Sequence, residues 1–182
     1  MKYFRKLRGE RIYLSPVSPE DYEQYTKWVS DSEITDNIAI SWILYDVEKE
    51  KEFLESVRQM DYHFAMVKYD GDKLLGNVSL FNFHHINRTA DYGIFIGDEE
   101  NRGKGYGTEA SRLILDYGFN TLNLNNIMLR VFGFNKNAIA CYEKLGFKKI
   151  GVRRKAYFVR GQFHDEIYMD ILREDFKIYH QA

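Results

Sequence analysis

The sequence is poor in the features of a secreted, membrane-embedded or nucleic-acid-binding chain. It has one cysteine, Cys141, among 182 residues. An intramolecular disulfide is therefore impossible, and a reducing compartment is expected. The opening Met1-Lys2-Tyr3-Phe4-Arg5-Lys6-Leu7-Arg8 lacks the apolar stretch of a secretory signal. No window approaches the roughly 18 consecutive apolar residues of a membrane span. A cytoplasmic location without a membrane partner is the expectation. Charge of one sign is missing too: the net charge is −1, because basic clusters over 2–11 and 148–155 are offset by acidic runs at 46–55 and 98–100. Without a global basic field, nucleic acid is not expected as a partner. Proline occurs only twice, at Pro16 and Pro19. No Pro/Gly/Ser-rich linker or internal repeat divides the chain, so a single domain over 1–182 is expected.

What is present is the composition of a folded protein. Charged residues make up 29% and apolar residues 45%, outside the range of disordered chains. Aromatics reach 16%, which suits a β-rich interior or a ring-lined pocket.

The hydrophobic period changes along the chain. Arg11 to Val17 alternates as a strand, and Ser18-Pro19-Glu20-Asp21 offers a capping serine followed by proline at the first helical position. The helix that follows puts Tyr22, Tyr25 and Val29 on one side. A second helix is expected after Asp46, with Phe53, Leu54 and Val57 facing inward. Residues Tyr62–Tyr69 and Lys73–His84 read as strands joined by Asp70-Gly71-Asp72, a strong hairpin signal. Arg88–Gly97 reads as a further strand, with Ala90, Tyr92, Ile94 and Ile96 on one face and Asp91, Gly93, Phe95 and Gly97 on the other.

A glycine-rich turn comes next, then a helix with Ala110, Leu113, Ile114 and Tyr117 in register. Asn126–Phe134 reads as a strand. Asn137–Leu145 reads as a helix with Ala138, Cys141, Tyr142 and Leu145 on its apolar face, stopped by Gly146. Strands over 147–159 and 163–172 turn at Arg160-Gly161, and the tail from Arg173 is expected to form a short helix. Helices among mainly hairpin-connected strands imply an α+β protein.

The turn Arg102-Gly103-Lys104-Gly105-Tyr106-Gly107-Thr108 lies between a strand and an amphipathic helix. Its glycines allow left-handed dihedrals and close approach of a ligand to the backbone. The helix start presents unpaired N–H groups and a positive dipole end, which suit phosphate oxygens. Arg102 and Lys104 add charge, and Thr108 would bond a phosphate or cap the helix. Rival loops fit less well: the Walker spacing is absent, and the dinucleotide fingerprint fails because the third glycine comes one residue early. A turn that binds no ligand is the plain alternative.

Arg102-Gly103-Lys104-Gly105-Tyr106-Gly107 resembles the Gln/Arg-x-x-Gly-x-Gly/Ala cofactor signature of the GNAT superfamily of N-acetyltransferases. Asn135-Lys136-Asn137-Ala138, followed by Cys141-Tyr142-Glu143-Lys144-Leu145-Gly146-Phe147, is similar to that family's Asn-x-x-Ala…Tyr-Glu-Lys-x-Gly-Phe element. The two stand in the expected order with a helix and a strand between them. The closing Gly161-Gln162-Phe163-His164-Asp165-Glu166…Met169-Asp170-Ile171-Leu172 is similar to the branch holding ribosomal-protein N-terminal acetyltransferases and spermidine acetyltransferases. The resemblance implies a three-layer α/β arrangement: a mostly antiparallel mixed sheet, splayed at its middle strands and flanked by about four helices. It also implies transfer of an acetyl group from acetyl-CoA to a primary amine, without a metal.

Residue roles follow from the same resemblance. The backbone near Phe95 and Ile96 would pair with the pantetheine arm and polarise the acetyl carbonyl, and the turn over 102–108 would cradle the pyrophosphate. Tyr142 would donate a proton to the departing thiolate, since a phenol titrating near ~10 stays protonated at neutral pH; the plain alternative is a core tyrosine. Asn135 would touch the cofactor arm or simply cap the helix. Asp91 would relay the amine's proton, directly or through water, or be a charged residue at a strand end. Cys141 reads as core packing rather than a nucleophile. His63, His84 and His85 are candidate pocket residues without a metal-ligand spacing, the plain alternative being surface or packing histidines, and Glu33 and Asp36 would receive a cationic substrate or simply lie in a solvated loop. Among acceptors a protein N-terminal amine ranks first. A polyamine, an amino sugar and an antibiotic amine follow. A homodimer is compatible with the resemblance. A non-catalytic CoA-binding sensor is the alternative of another class.

Overall fold

The computed structural model describes residues 2–38, 40–58, 60 and 62–176. Eight strands and five α-helices follow one another in the order β1 (Leu7–Arg8), β2 (Ile12–Pro16), α1 (Tyr22–Val29), α2 (Ser32–Thr35), α3 (Val47–Arg58), β3 (His63–Lys68), β4 (Lys73–His84) and β5 (Thr89–Ile96). Then come α4 (Tyr106–Asp116), β6 (Asn126–Phe132), α5 (Lys136–Leu145), β7 (Lys148–Val159) and β8 (Gln162–Leu172). The class is α+β, as expected. The chain forms two compact units: one runs through residue 81 and resumes over 93–113, and the other holds 82–92 and continues from 114. Strands β4 and β5 and helix α4 contribute residues to both.

In the first unit the strand order is β1-β2-β3-β4-β5. Ile12, Tyr13 and Leu14 of β2 are buried, and so are Ala65, Met66 and Val67 of β3. The turn expected at Asp70-Gly71-Asp72 is a short 3-10 turn, with Gly71 at φ 72° where a side chain would be strained. One face of this sheet lies under α1 and α3, in a cluster of Tyr25, Trp28, Leu54, Val57, Ala65 and Val67 with Phe95 packed against it. Gly97 has no side chain because the Trp28 ring occupies that space.

Several expectations here need correction. Ser18 makes no side-chain cap: Pro19–Asp21 forms a 3-10 turn first, and the α-helix starts at Tyr22. Phe53 is 47% exposed rather than inward. The buried stripe of α3 is Glu50, Leu54 and Val57, so a carboxylate fills the place where the periodicity of apolar residues was sought. Glu33 lies in the short helix α2, and Asp36 is buried at its end rather than solvated.

In the second unit the order is β4-β5-β6-β8-β7. β5 and β6 run parallel, pairing Thr89 with Asn126, Ala90 with Ile127 and Asp91 with Met128, and the pairing goes no further. The other pairings described are antiparallel. Gly146 stops α5 in the left-handed region at φ 102°, as its position after the last apolar residue implied. Arg160 and Gly161 both take positive φ, at 47° and 80°, the conformation of a tight hairpin turn between β7 and β8. The strand expected to reach Phe134 ends at Phe132. After α4 the chain passes into a π-helical turn over Tyr117–Thr121. Of the expected tail helix, residues 173–175 form a turn, and the remainder from 177 lies outside the described residues.

Glu50 is the costly feature of the first unit. It is 1% exposed, and its Oε2 has no hydrogen-bond partner among the described residues. Burial therefore raises its carboxyl to about 7 from an ordinary 4.5. A folded-state value above the unfolded one gives stability that is full below the unfolded value and is lost as pH rises through the folded value. Glu50→Gln is expected to stabilise the protein at pH 8 by about 2 kcal/mol and to have little effect at pH 4. Thermal melts of both proteins at the two pH values check this.

Candidate active site

The glycine turn is built in the first unit. Gly103 and Gly105 sit at φ 71° and 86°, so both use the freedom that the sequence implied. A Cβ at Gly103 would meet nothing within 4 Å, so the turn faces open space there. Gly107 lies in the first turn of α4, where a Cβ would stand 3.4 Å from Ile96. This glycine lets the helix start pack closely against β5. The positive φ angles, the open side at Gly103 and the N-terminal turn of α4 together form a cradle that fits a phosphate group.

The two cations of the turn behave differently. Arg102 folds back onto the strand: its Nη2 donates to the carbonyl of Gly97 at 2.7 Å and its Nε to that of Ile96 at 3.3 Å. It ties the turn to the end of β5. Lys104 is exposed, leaving its ammonium directed to solvent.

A clamp that sequence reasoning missed holds this turn in place. Glu109, one turn into α4, accepts from the backbone N–H groups of Arg11 at 2.9 Å and Ile12 at 3.2 Å, and from Arg11 Nε at 3.0 Å. Arg11 Nη1 donates to the carbonyl of Lys104 at 2.9 Å, and its guanidinium lies 4.9 Å from the Tyr106 ring centre. Arg11 and Glu109 are 98 residues apart, and no local pattern announces the pair. Gly9 has no side chain where the Glu109 carboxylate sits.

The second unit holds the other candidates. Asp91 is half-buried at the last parallel pair of β5 with β6, and Asn82 Nδ2 donates to its Oδ2 at 2.9 Å. Asn135 caps α5, its side chain accepting from the N–H of Ala138 at 3.1 Å. Tyr142, on the inner face of α5, packs edge-on against Tyr92 at 6.0 Å and against Phe147 at 5.9 Å. Burial pushes its phenol well above the usual tyrosine range, so it stays protonated at all ordinary pH values. Its hydroxyl has no hydrogen-bond partner among the described residues. Cys141 beside it is half-buried.

The candidate histidines His63, His84 and His85 lie on β3, at the end of β4 and just after it. His84 accepts from the N–H of Asn87 at 3.1 Å, His85 lies near Phe83, and His63 is half-buried on β3. Among the described residues no three His, Cys, Asp or Glu side chains converge on one point. No described helix is long and apolar enough to cross a membrane.

The phosphate-fitting cradle before α4 lies in the first unit, and the aromatic-buried phenol on α5 and the Asp91 carboxylate lie in the second. Comparison with known proteins gives the class its name. The model of the acetyltransferase (GNAT) domain family matches residues 11–148, and the chain belongs to this family of acetyl-CoA-dependent N-acetyltransferases. A probable N-acetyltransferase of Bacillus subtilis, YjcK, is 31% identical over 178 residues, covering 93% of this chain and 98% of that protein. The spermidine N(1)-acetyltransferase of Escherichia coli is 38% identical over 117 residues, covering 64% of this chain and 62% of that protein. The solved spermidine N-acetyltransferase of Vibrio cholerae, in complex with CoA and spermine, matches with a TM-score of 0.80 and 25% identity, over 92% of this chain and 98% of that one.

The clamp gives a direct expectation. Arg11→Ala removes the hold on the Lys104 carbonyl and the pairing with Glu109, so acetyl-CoA should bind about tenfold more weakly, equivalent to about 1.4 kcal/mol. Calorimetry on the folded variant measures it, and an unchanged dissociation constant would mean that the clamp does not shape the turn.

Proposed function

We propose that this protein acts in the cytoplasm as one acetyltransferase domain over 1–182, moving an acetyl group directly from acetyl-CoA to a primary amine. The observation that carries the reading is Tyr142, a phenol kept neutral by burial, with an unbonded hydroxyl, on the helix that Asn135 caps. The turn 102–108 takes the pyrophosphate on Gly103, Gly105, Gly107 and the first N–H groups of α4, with Lys104 and Thr108 beside it. Arg102 and Arg11 shape that turn. The backbone at Phe95 and Ile96 takes the pantetheine arm and donates toward the acetyl oxygen.

The proton traffic has two ends. The acceptor, arriving as an ammonium, gives one proton to the Asp91 carboxylate, directly or through a water, and the freed amine attacks the acetyl carbon, its nitrogen then losing a second proton to solvent. The new C–N bond forms as the C–S bond breaks. Tyr142 gives its proton to the leaving thiolate and recovers one from solvent. Asp91 is short for direct abstraction, and the Asn82 amide that bonds it fixes its orientation.

Two acceptor classes compete. A peptide N-terminal amine rests on the resemblance of the closing strands. A polyamine draws its support from the spermidine acetyltransferases among the relatives.

The test is a screen of peptide, polyamine and amino-sugar acceptors with acetyl-CoA, reading free thiol. Thiol release with one class names the acceptor. Tight acetyl-CoA binding without release across the panel would point instead to a CoA-binding sensor. Tyr142→Phe should lower kcat about 10- to 100-fold, in line with the usual contribution of a general acid, while the acetyl-CoA dissociation constant stays within twofold. Unchanged turnover would remove the phenol from the mechanism.

A further inference from the structure

The face of the first unit's sheet that lies under α1 and α3 is covered at one end and, among the described residues, only partly covered at the other. The pairing of β3 with β4 sets Ala65 opposite Asn77 and His63 opposite Ser79. Ala65 and Val67 are fully buried beneath Tyr25, Trp28, Leu54 and Val57. Tyr25 closes that cover with a hydrogen bond from its hydroxyl to the Asn77 side chain. One rung further on, His63, Ser79, Phe81 and Gly93 are each only half-buried. The described helical cover therefore stops at the Ala65–Asn77 rung.

Gly93 decides how the open rung is floored. A Cβ there would stand 3.2 Å from the Phe81 ring and 3.5 Å from the Ser79 hydroxyl. The absence of that atom lets the Phe81 ring settle onto the backbone of β5. The His63 ring lies beside it, with centres 6.4 Å apart and planes 31° apart. Neither His63 nor the Ser79 hydroxyl has a hydrogen-bond partner among the described residues. Burial lowers the imidazole pKa from its usual value, so at neutral pH the ring is uncharged and one nitrogen carries a free lone pair.

We propose that His63, Ser79 and Phe81 form the seat for the ammonium group of the acceptor, with His63 as the residue that positions it. The inference rests on the amine-acetylating reading above. The chemistry suits an alkylammonium. Its N–H groups donate to the imidazole lone pair and the Ser79 oxygen, and the face of Phe81 attracts the cation. All three groups are uncharged, so they hold the ammonium without locking its proton in a salt bridge.

The experiment uses the full chain and two readouts. In the first, the His63 imidazole resonance, assigned by its loss in His63→Gln, is followed by NMR at pH 7 during titration with n-butylamine. A saturable shift is expected. In the second, steady-state kinetics use the best acceptor of the screen. His63→Ala should raise the acceptor KM about tenfold, with kcat within threefold and the acetyl-CoA KM unchanged. His63→Gln, whose amide oxygen still accepts, should recover most of that loss. Ser79→Ala offers a milder second variant, expected to raise the same KM about threefold should His63→Ala fail to fold. An unmoved resonance, or an acceptor KM within twofold of wild type in the folded variants, overturns the seat. If the wild type releases no thiol with any amine but the resonance shifts, the seat stands and the transferase reading falls.

Discussion

Much of the glycine-turn end of the first unit depends on a single carboxylate. Glu109 accepts from two consecutive backbone N–H groups at the start of β2 and from the guanidinium of Arg11. Its negative charge in the first turn of α4 would by itself oppose an anionic ligand at that helix start. Engaging it with Arg11 and two amides neutralises it, while Arg11 reaches on to the Lys104 carbonyl and the Tyr106 ring. The glycine turn is thereby fixed from outside. Its own residues are left to offer N–H groups and positive φ angles rather than to hold themselves in shape.

β5 carries the other constraint, because successive residues of one strand do different work. Ala90 and Asp91 are held by parallel pairing with β6. Gly93 yields its side-chain space to Phe81, Phe95 is anchored among Tyr25 and Trp28, and Gly97 yields to the Trp28 ring. Arg102 then bonds the carbonyls of Ile96 and Gly97. Bulky side chains at Gly93 or Gly97 would displace an aromatic ring, so those two glycines serve packing rather than flexibility.

The parts of the sequence that were legible are those whose chemistry is local. Gly146 after an amphipathic run, Arg160-Gly161 between two strands and Asn135 before a helix each act within a few residues, and each takes the conformation its type favours. Gly103 and Gly105 belong with them. The Arg11–Glu109 clamp was not legible, since nothing near either residue marks a partner 98 positions away. Phe53 was misread because Glu50 occupies the buried stripe of α3, and apolar periodicity has no means of expecting a buried acid. The open rung at His63 escaped for a related reason. Alternation assigns residues to a face, but it does not say where along that face the helices stop covering it.

The distribution of charge fits a transfer that must move protons in opposite directions. On the proposed path Tyr142 has to give a proton and Asp91 has to take one. Burial against Tyr92 and Phe147 makes ionisation of the phenol expensive, which holds its proton in place until a stronger local base, a nascent thiolate, appears. Asp91 stays half-buried and bonded to a neutral amide rather than to a cation. The same preference for uncharged partners recurs at His63 and Ser79. A site that bound its amine through carboxylates alone would gain affinity by stabilising the ammonium, the form that cannot attack. Neutral acceptors leave the attacking amine within reach.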